Sequence, residues 1–181
     1  KIIHMAMILV AITIPALLFD EYAQLYFSFV GVSIFGLGVL AAVNGGIDAL
    51  FNTFAHSLAR FRHDVLFSVC MATMGLGFMV AGTLSNTLGI LLLFIGASAF
   101  FIVAILAESD INVRLASSIR ATSESFFSLA EKLIYIPIAL AFAWVGQHYS
   151  ISVAFTCLGV AVLIYLCIFL IFSRKHVRQV G

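Results

Sequence analysis

Charge is what this chain has least of. Lys, Arg, Asp and Glu make up 9% of its 181 residues, against 64% hydrophobic residues, and the mean hydropathy is +1.20. Soluble domains are about half apolar and about a quarter charged. So few charges cannot cover a soluble surface of this size, so the solvent for most of the chain is lipid. The net charge of +1, with no basic run interleaved with aromatics, excludes nucleic-acid binding. Proline is almost as scarce, at two residues, and no Ser- or Gly-rich tract occurs. That leaves no linker and no second domain. The three cysteines, Cys70, Cys157 and Cys167, sit in apolar runs without metal-ligand or disulfide spacing, and read as buried structural thiols. The five histidines are scattered near segment ends. They build no metal site, and none lies deep enough to serve as base to a serine such as that of "GASAF" (Gly96–Phe100). An enzyme is not expected, nor is a cofactor.

What is present is long apolar runs. A membrane-spanning helix needs about 20 mostly apolar residues. Six such segments fit: Ile3–Phe27, Val32–Ser57, Val65–Thr83, Leu88–Ala107, Ile119–Val145 and Ile151–Phe172. The first could pass for a signal peptide, but the acidic "FDEY" (Phe19–Tyr22) follows it in place of a cleavage site. It reads as a first span, in a chain expected to begin partway through a longer protein. "DEYAQLYFSFVG" is either a break or the end of one long helix.

Basic residues set the expected orientation. Lys1, Arg60, Arg62, Arg114, Arg120, Arg174, Lys175 and Arg178 all fall at alternate ends of the spans, while the other three connections carry no Lys or Arg. The positive-inside rule makes the basic side cytoplasmic, with both termini inside. The expected location is a cell membrane, plasma or bacterial inner. "LARFRHD" (Leu58–Asp64) is then a topology determinant, and "SRKHVRQ" a solvated tail at the lipid headgroups.

The remaining basic residue, Lys132, lies inside the fifth span beside Glu131. Neighbours on a helix point about 100° apart, so the two do not pair with each other. The second span carries Asn44, Asp48, Asn52 and His56 at steps of four, a slowly turning polar stripe that lipid would not tolerate. "NGG" (Asn44–Gly46) adds small residues suited to close helix approach. The fifth span has a matching stripe of Glu124, Ser128, Glu131 or Lys132, and Tyr135. At about 1.5 Å per residue, Lys132 is about 18 Å beyond Arg120 and Asp48 about 18 Å before Arg60. Both lie near the midplane, where the two stripes can share a polar cavity. Glue between helices and a lysine that snorkels to the surface are the bland alternatives. Asp20 and Glu21 follow a long apolar run and are placed near the outer surface, as an end marker with Tyr22 and Tyr26 or as an outer gate. The third and sixth spans carry no charge in their interiors and read as lipid-facing walls. Two groups of three helices starting from opposite sides follow the inverted-repeat logic of many transporters.

"SSIRATSESFFSLAEKLIYIPIALAFAWVGQHYS" (Ser117–Ser150) resembles the loop into helix eleven of a major facilitator superfamily transporter. The matching features are Arg120, Ala121 and Thr122, then serines, a basic residue, a proline and the terminal Gly146. "ARFRHD" sits where that family repeats a basic loop between helices eight and nine, here without the glycine and aspartate that open the motif. Phe19–Tyr22 with Leu25 and Tyr26 resembles the outer end of helix seven in bacterial members. The resemblance implies a twelve-helix protein of which these spans are seven to twelve, an N-terminal six-helix half as partner, and a cavity between the halves. It implies transport of a small solute by alternating access. Depth and geometry add the expectation of proton coupling through midplane carboxylates, with Glu131 titrating and Lys132 a fixed charge that tunes it or contacts the solute. Arg60, Arg62 and Arg120 would belong to the cytoplasmic loops. The competing reading is a non-transporting membrane subunit or sensor that needs a partner bundle.

Overall fold

The computed structural model describes residues 2–58, 63–99 and 117–178. The described residues form six helices: α1 (Ile2–Val30), α2 (Ile34–Leu58), α3 (His63–Leu84), α4 (Thr87–Ala99), α5 (Ser117–His148) and α6 (Ile151–Arg178). The protein is all-helical over these residues. Three stretches, Val65–Leu84, Ser128–His148 and Ile151–Ile171, are long and apolar enough to cross a membrane. This is a membrane protein. The "DEYAQLYFSFVG" stretch is the end of one long helix, since α1 runs unbroken to Val30.

Local chemistry explains where the helices stop and restart. Gly31, at φ 94°, follows the last residue of α1. Its N–H donates to the Ser28 carbonyl, and that of Val32 to the Phe27 carbonyl. This paired closure needs a left-handed residue, which glycine adopts without steric cost. Ser33, Asn86 and Ser150 then act as N-caps: their side-chain oxygens accept from the backbone N–H of Gly36, Gly89 and Val153 at 3.1–3.2 Å. Each satisfies a helix-end donor that would otherwise lack a partner.

Tyr26, near the end of α1, is fully buried and donates its hydroxyl to the Ala81 carbonyl near the end of α3 at 2.6 Å. Its ring packs edge-on against Phe155, near the start of α6. Gly89, near the start of α4, faces the same hydroxyl. The ends of α1 and α3 therefore meet the starts of α4 and α6, and the three connections without Lys or Arg share one end of the bundle. Tyr26→Phe should lower stability by about 1 kcal/mol, the usual net worth of one hydrogen bond. The check is a comparison of denaturation midpoints in detergent.

The core lies among α1, α3, α4 and α6. Phe19 stacks on Phe78 and meets Phe94 edge-on, Phe27 stacks on Phe94, and Phe78 meets Phe155 edge-on. The third and sixth spans each turn one apolar face outward, with Val69 and Leu76 of α3 and Ile164 and Ile168 of α6 exposed, while their other faces pack on each other. In α3 half of the spanning window is buried, and in α6 39%, against 11% in α5. A methyl group added at Gly159 of α6 would fall on the backbone of α3, meeting the Met79 nitrogen and lying 2.6 Å from the Gly75 oxygen. One added at Gly82 of α3 would lie 2.5 Å from the Ser152 oxygen. The Ser152 hydroxyl donates to the Gly82 carbonyl and pairs with that of Ser85, closing the contact at its end. Lipid tails are as apolar as leucine, so the absence of charge does not distinguish a helix facing lipid from one facing another helix.

Candidate functional site

The exposed face of α1 mixes polar residues with Leu25 and Phe29. Leu18, Phe19, Ala23, Tyr26 and Phe27 point into the core, while Asp20, Glu21, Gln24 and Ser28 are exposed on the opposite side. Gln24 and Ser28 were legible as further steps of four after Asp20. Glu21 lies nine residues before the end of α1, or about 14 Å along the axis. It is thus well within the helix and not at its tip.

On α5, the residues turned toward the bundle include Glu131, Tyr135, Ala139, Phe142 and Gly146, spaced by three or four residues. Tyr135 and Phe142 are buried and Glu131 is half-buried, whereas Lys132 is exposed. The ambiguity between Glu131 and Lys132 in the α5 stripe is thereby resolved: Glu131 shares the face of Tyr135. Glu131 forms no hydrogen bond or ion pair with another described residue.

The two helices meet at this level. The Tyr135 hydroxyl donates to Glu21 Oε2, and the Tyr22 and Phe142 rings lie 5.0 Å apart. Lys132 Nζ lies 5.6 Å from the centre of the Tyr135 ring, within cation–π range. A carboxylate, a phenol and an ammonium from two helices thus form one cluster. Two of them, Glu21 and Lys132, are exposed on the described bundle.

No family model, curated protein or solved structure matches this chain.

The other expected site residues are placed as follows. Asn44 is half-buried on α2, and its Oδ1 is enclosed without a hydrogen-bond partner among the described residues. Gly45 and Gly46 have no atom within 4 Å of where a side chain would start. The close approach expected of "NGG" is therefore not made to any described residue. The backbones of Asp48, Asn52 and Arg120 are helical, but their side chains lie outside the described residues. Arg60 and Arg62 lie outside them altogether. α2 shows much of its apolar surface, with Ile34 89% and Phe35 83% exposed.

At the shared end of the bundle, Trp144 stacks on His148, with ring centroids 4.5 Å apart, and meets Tyr149 edge-on. Trp144 and Tyr149 are both exposed. Amphipathic rings at the end of a spanning helix suit the lipid headgroup level.

Proposed function

We propose that the chain is the six-helix half of a secondary transporter of major facilitator type, moving a small solute by alternating access with proton coupling. The observation that carries this reading is the Glu21–Tyr135–Lys132 cluster, lying within two long helices, with Tyr135 buried between them and Glu21 and Lys132 exposed on the described bundle. Ionisable groups at membrane depth face a bundle interior or a water-filled cavity, because hydrocarbon does not solvate them. A facing six-helix bundle would supply the other wall of that cavity. It would also cover the open face of α2, where Ile34, Phe35 and Val39 are exposed and Gly45 and Gly46 leave room for a close neighbour. Under this reading α1 and α5 line the solute path, α3 and α6 form the rigid back, and the basic connections lie on the cytoplasmic side. A sensor or non-transporting subunit needs a partner bundle but no proton-driven solute movement.

The test is transport by the full-length protein in proteoliposomes. An imposed pH gradient should drive concentrative uptake of at least one solute from a panel of sugars, amino acids, carboxylates and cationic drugs. Folded, correctly inserted protein that moves none of these would sink the proposal. Topology is checked separately. Cysteines placed at Asn86 and Gln147 should react with an impermeant thiol reagent from outside the cell, and one at Ser117 should not.

A further inference from the structure

The sequence expectation puts the titrating role on Glu131, yet the carboxylate that joins two helices is Glu21. A phenol donating to an ionised carboxylate makes a charge-assisted hydrogen bond, about twice as strong as one to a neutral acceptor. When Glu21 takes a proton from water reaching that face, Tyr135 keeps its own proton and only the strength of the acceptor falls. The hold of α1 on α5 therefore depends on whether Glu21 carries a proton.

The rest of the molecule leaves α5 able to respond. It is the least buried of the three clear spans. The two prolines of the chain fall in the two helices joined here, Pro15 in α1 and Pro137 in α5. A proline within a helix lacks the N–H that would bond the carbonyl four residues back. That removes the tie to Leu133 beside Tyr135, and the tie to Ala11 on the approach to Glu21. By contrast, α3 and α6 are locked backbone to backbone at Gly159.

The charged and titratable groups around Glu21 can be stated element by element. α1 itself adds Asp20 and Tyr22, and α5 adds Tyr135, Lys132 and Glu131. α3 between Val65 and Leu84, α4, and α6 between Ile151 and Ile171 contain no Asp, Glu, Lys, Arg or His; α3 adds Cys70, and α6 adds Tyr165, Cys157 and Cys167 over those stretches. The first charged residue on α2 is Asp48, fourteen residues from that helix's start.

We propose that Glu21 is a proton-binding site, and that its hydrogen bond from Tyr135 is a latch. The latch holds α5 against α1 while Glu21 is ionised and releases it on protonation. Its role in coupling rests on the transporter reading, but the latch itself can be measured without transport.

The measurement is a spin-label distance between α1 and α5. Labels go on cysteines replacing the exposed Leu25 and Leu140, in full-length protein carrying Cys70→Ala, Cys157→Ser and Cys167→Ser, reconstituted in lipid. Over about pH 4 to 9, a range that spans carboxylate titration, the distance distribution should shift between two populations. Glu21→Gln and Tyr135→Phe should each hold the low-pH population at every pH, with helix content and thermal midpoint showing that they fold. A shift that persists in Glu21→Gln, or that disappears only in Glu131→Gln, overturns the proposal. So does a distribution that does not change with pH in the unsubstituted protein. A latch that titrates as expected in a protein that moves no solute would leave this inference standing and remove the transporter reading instead.

Discussion

Gly159→Val should leave little folded protein. The added side chain would start on the α3 backbone, against the Met79 nitrogen and 2.6 Å from the Gly75 oxygen. Neither atom can rotate away, so α3 and α6 must separate along their length. Overpacking against flexible side chains costs about 1–3 kcal/mol, and a clash with backbone lies at or above that range. Net stabilities are only about 5–15 kcal/mol, so the loss is large. The contrast is Gly75→Ala, whose new methyl would lie 2.8 Å from Leu163 side-chain carbons. Leu163 must move as a whole, since its Cγ as well as its Cδ is that close, and the Gly159 oxygen lies 3.2 Å away, so the expected cost is about 1–3 kcal/mol, still below that of Gly159→Val. Monodisperse yield after detergent extraction and the thermal midpoint measure both variants. Equal yields for Gly159→Val and the unsubstituted protein would mean that α3 and α6 do not meet at this point.

That contact was the part of the fold least legible in the sequence. The helices themselves were clear, because a long apolar run admits few other structures and Ser33, Asn86 and Ser150 mark restarts. Which helices touch was not. Gly75, Gly82 and Gly159 stand in three unremarkable apolar contexts, and only the path of the chain brings two helices far apart in sequence to one seam. The site was legible in pieces. Glu21 and Tyr135 were both singled out, but one as an outer gate and the other as part of a midplane stripe. Their joining depends on α1 lying beside α5, which no spacing encodes. The α2 stripe, by contrast, was legible as spacing alone: Asn44 shares the bundle-facing side of α2 with Leu40 and Ile47, and the side chains of Asp48 and Asn52 lie outside the described residues.

On the proposed transporter reading, Glu21→Gln should abolish proton-driven accumulation while leaving exchange of solute at equal concentrations intact. One pH unit is worth about 1.4 kcal/mol, or about tenfold accumulation per proton moved. Without a group that takes up the proton, that free energy cannot be transmitted and the concentration ratio should fall to one. Exchange needs only the solute-loaded movement between the two faces, which a neutral amide at position 21 still permits. The amide has nearly the shape of the protonated carboxyl and can still accept from Tyr135, so folding should be retained. Tyr135→Phe should uncouple in the same sense but less completely, since the carboxyl remains able to bind a proton. Radiolabelled solute in proteoliposomes, with and without an imposed pH gradient, separates the two activities. Accumulation that survives in Glu21→Gln and is lost in Glu131→Gln would place the coupling on Glu131.

The seam between α3 and α6 also bears on how the protein is made. The Ser152–Gly82 hydrogen bond joins residues 70 apart in sequence, so α3 enters the bilayer well before its partner has been synthesised. During that interval its future contact face is bathed in lipid. The uncharged interior of α3 can wait there, held by hydrophobicity alone, whereas α1, whose Glu21 meets Tyr135 114 residues later, must keep its carboxylate at water or at another helix in the interval. The bareness of the α3 interior therefore suits the order in which the chain emerges: it can rest in lipid with no unpaired charge until α6 arrives.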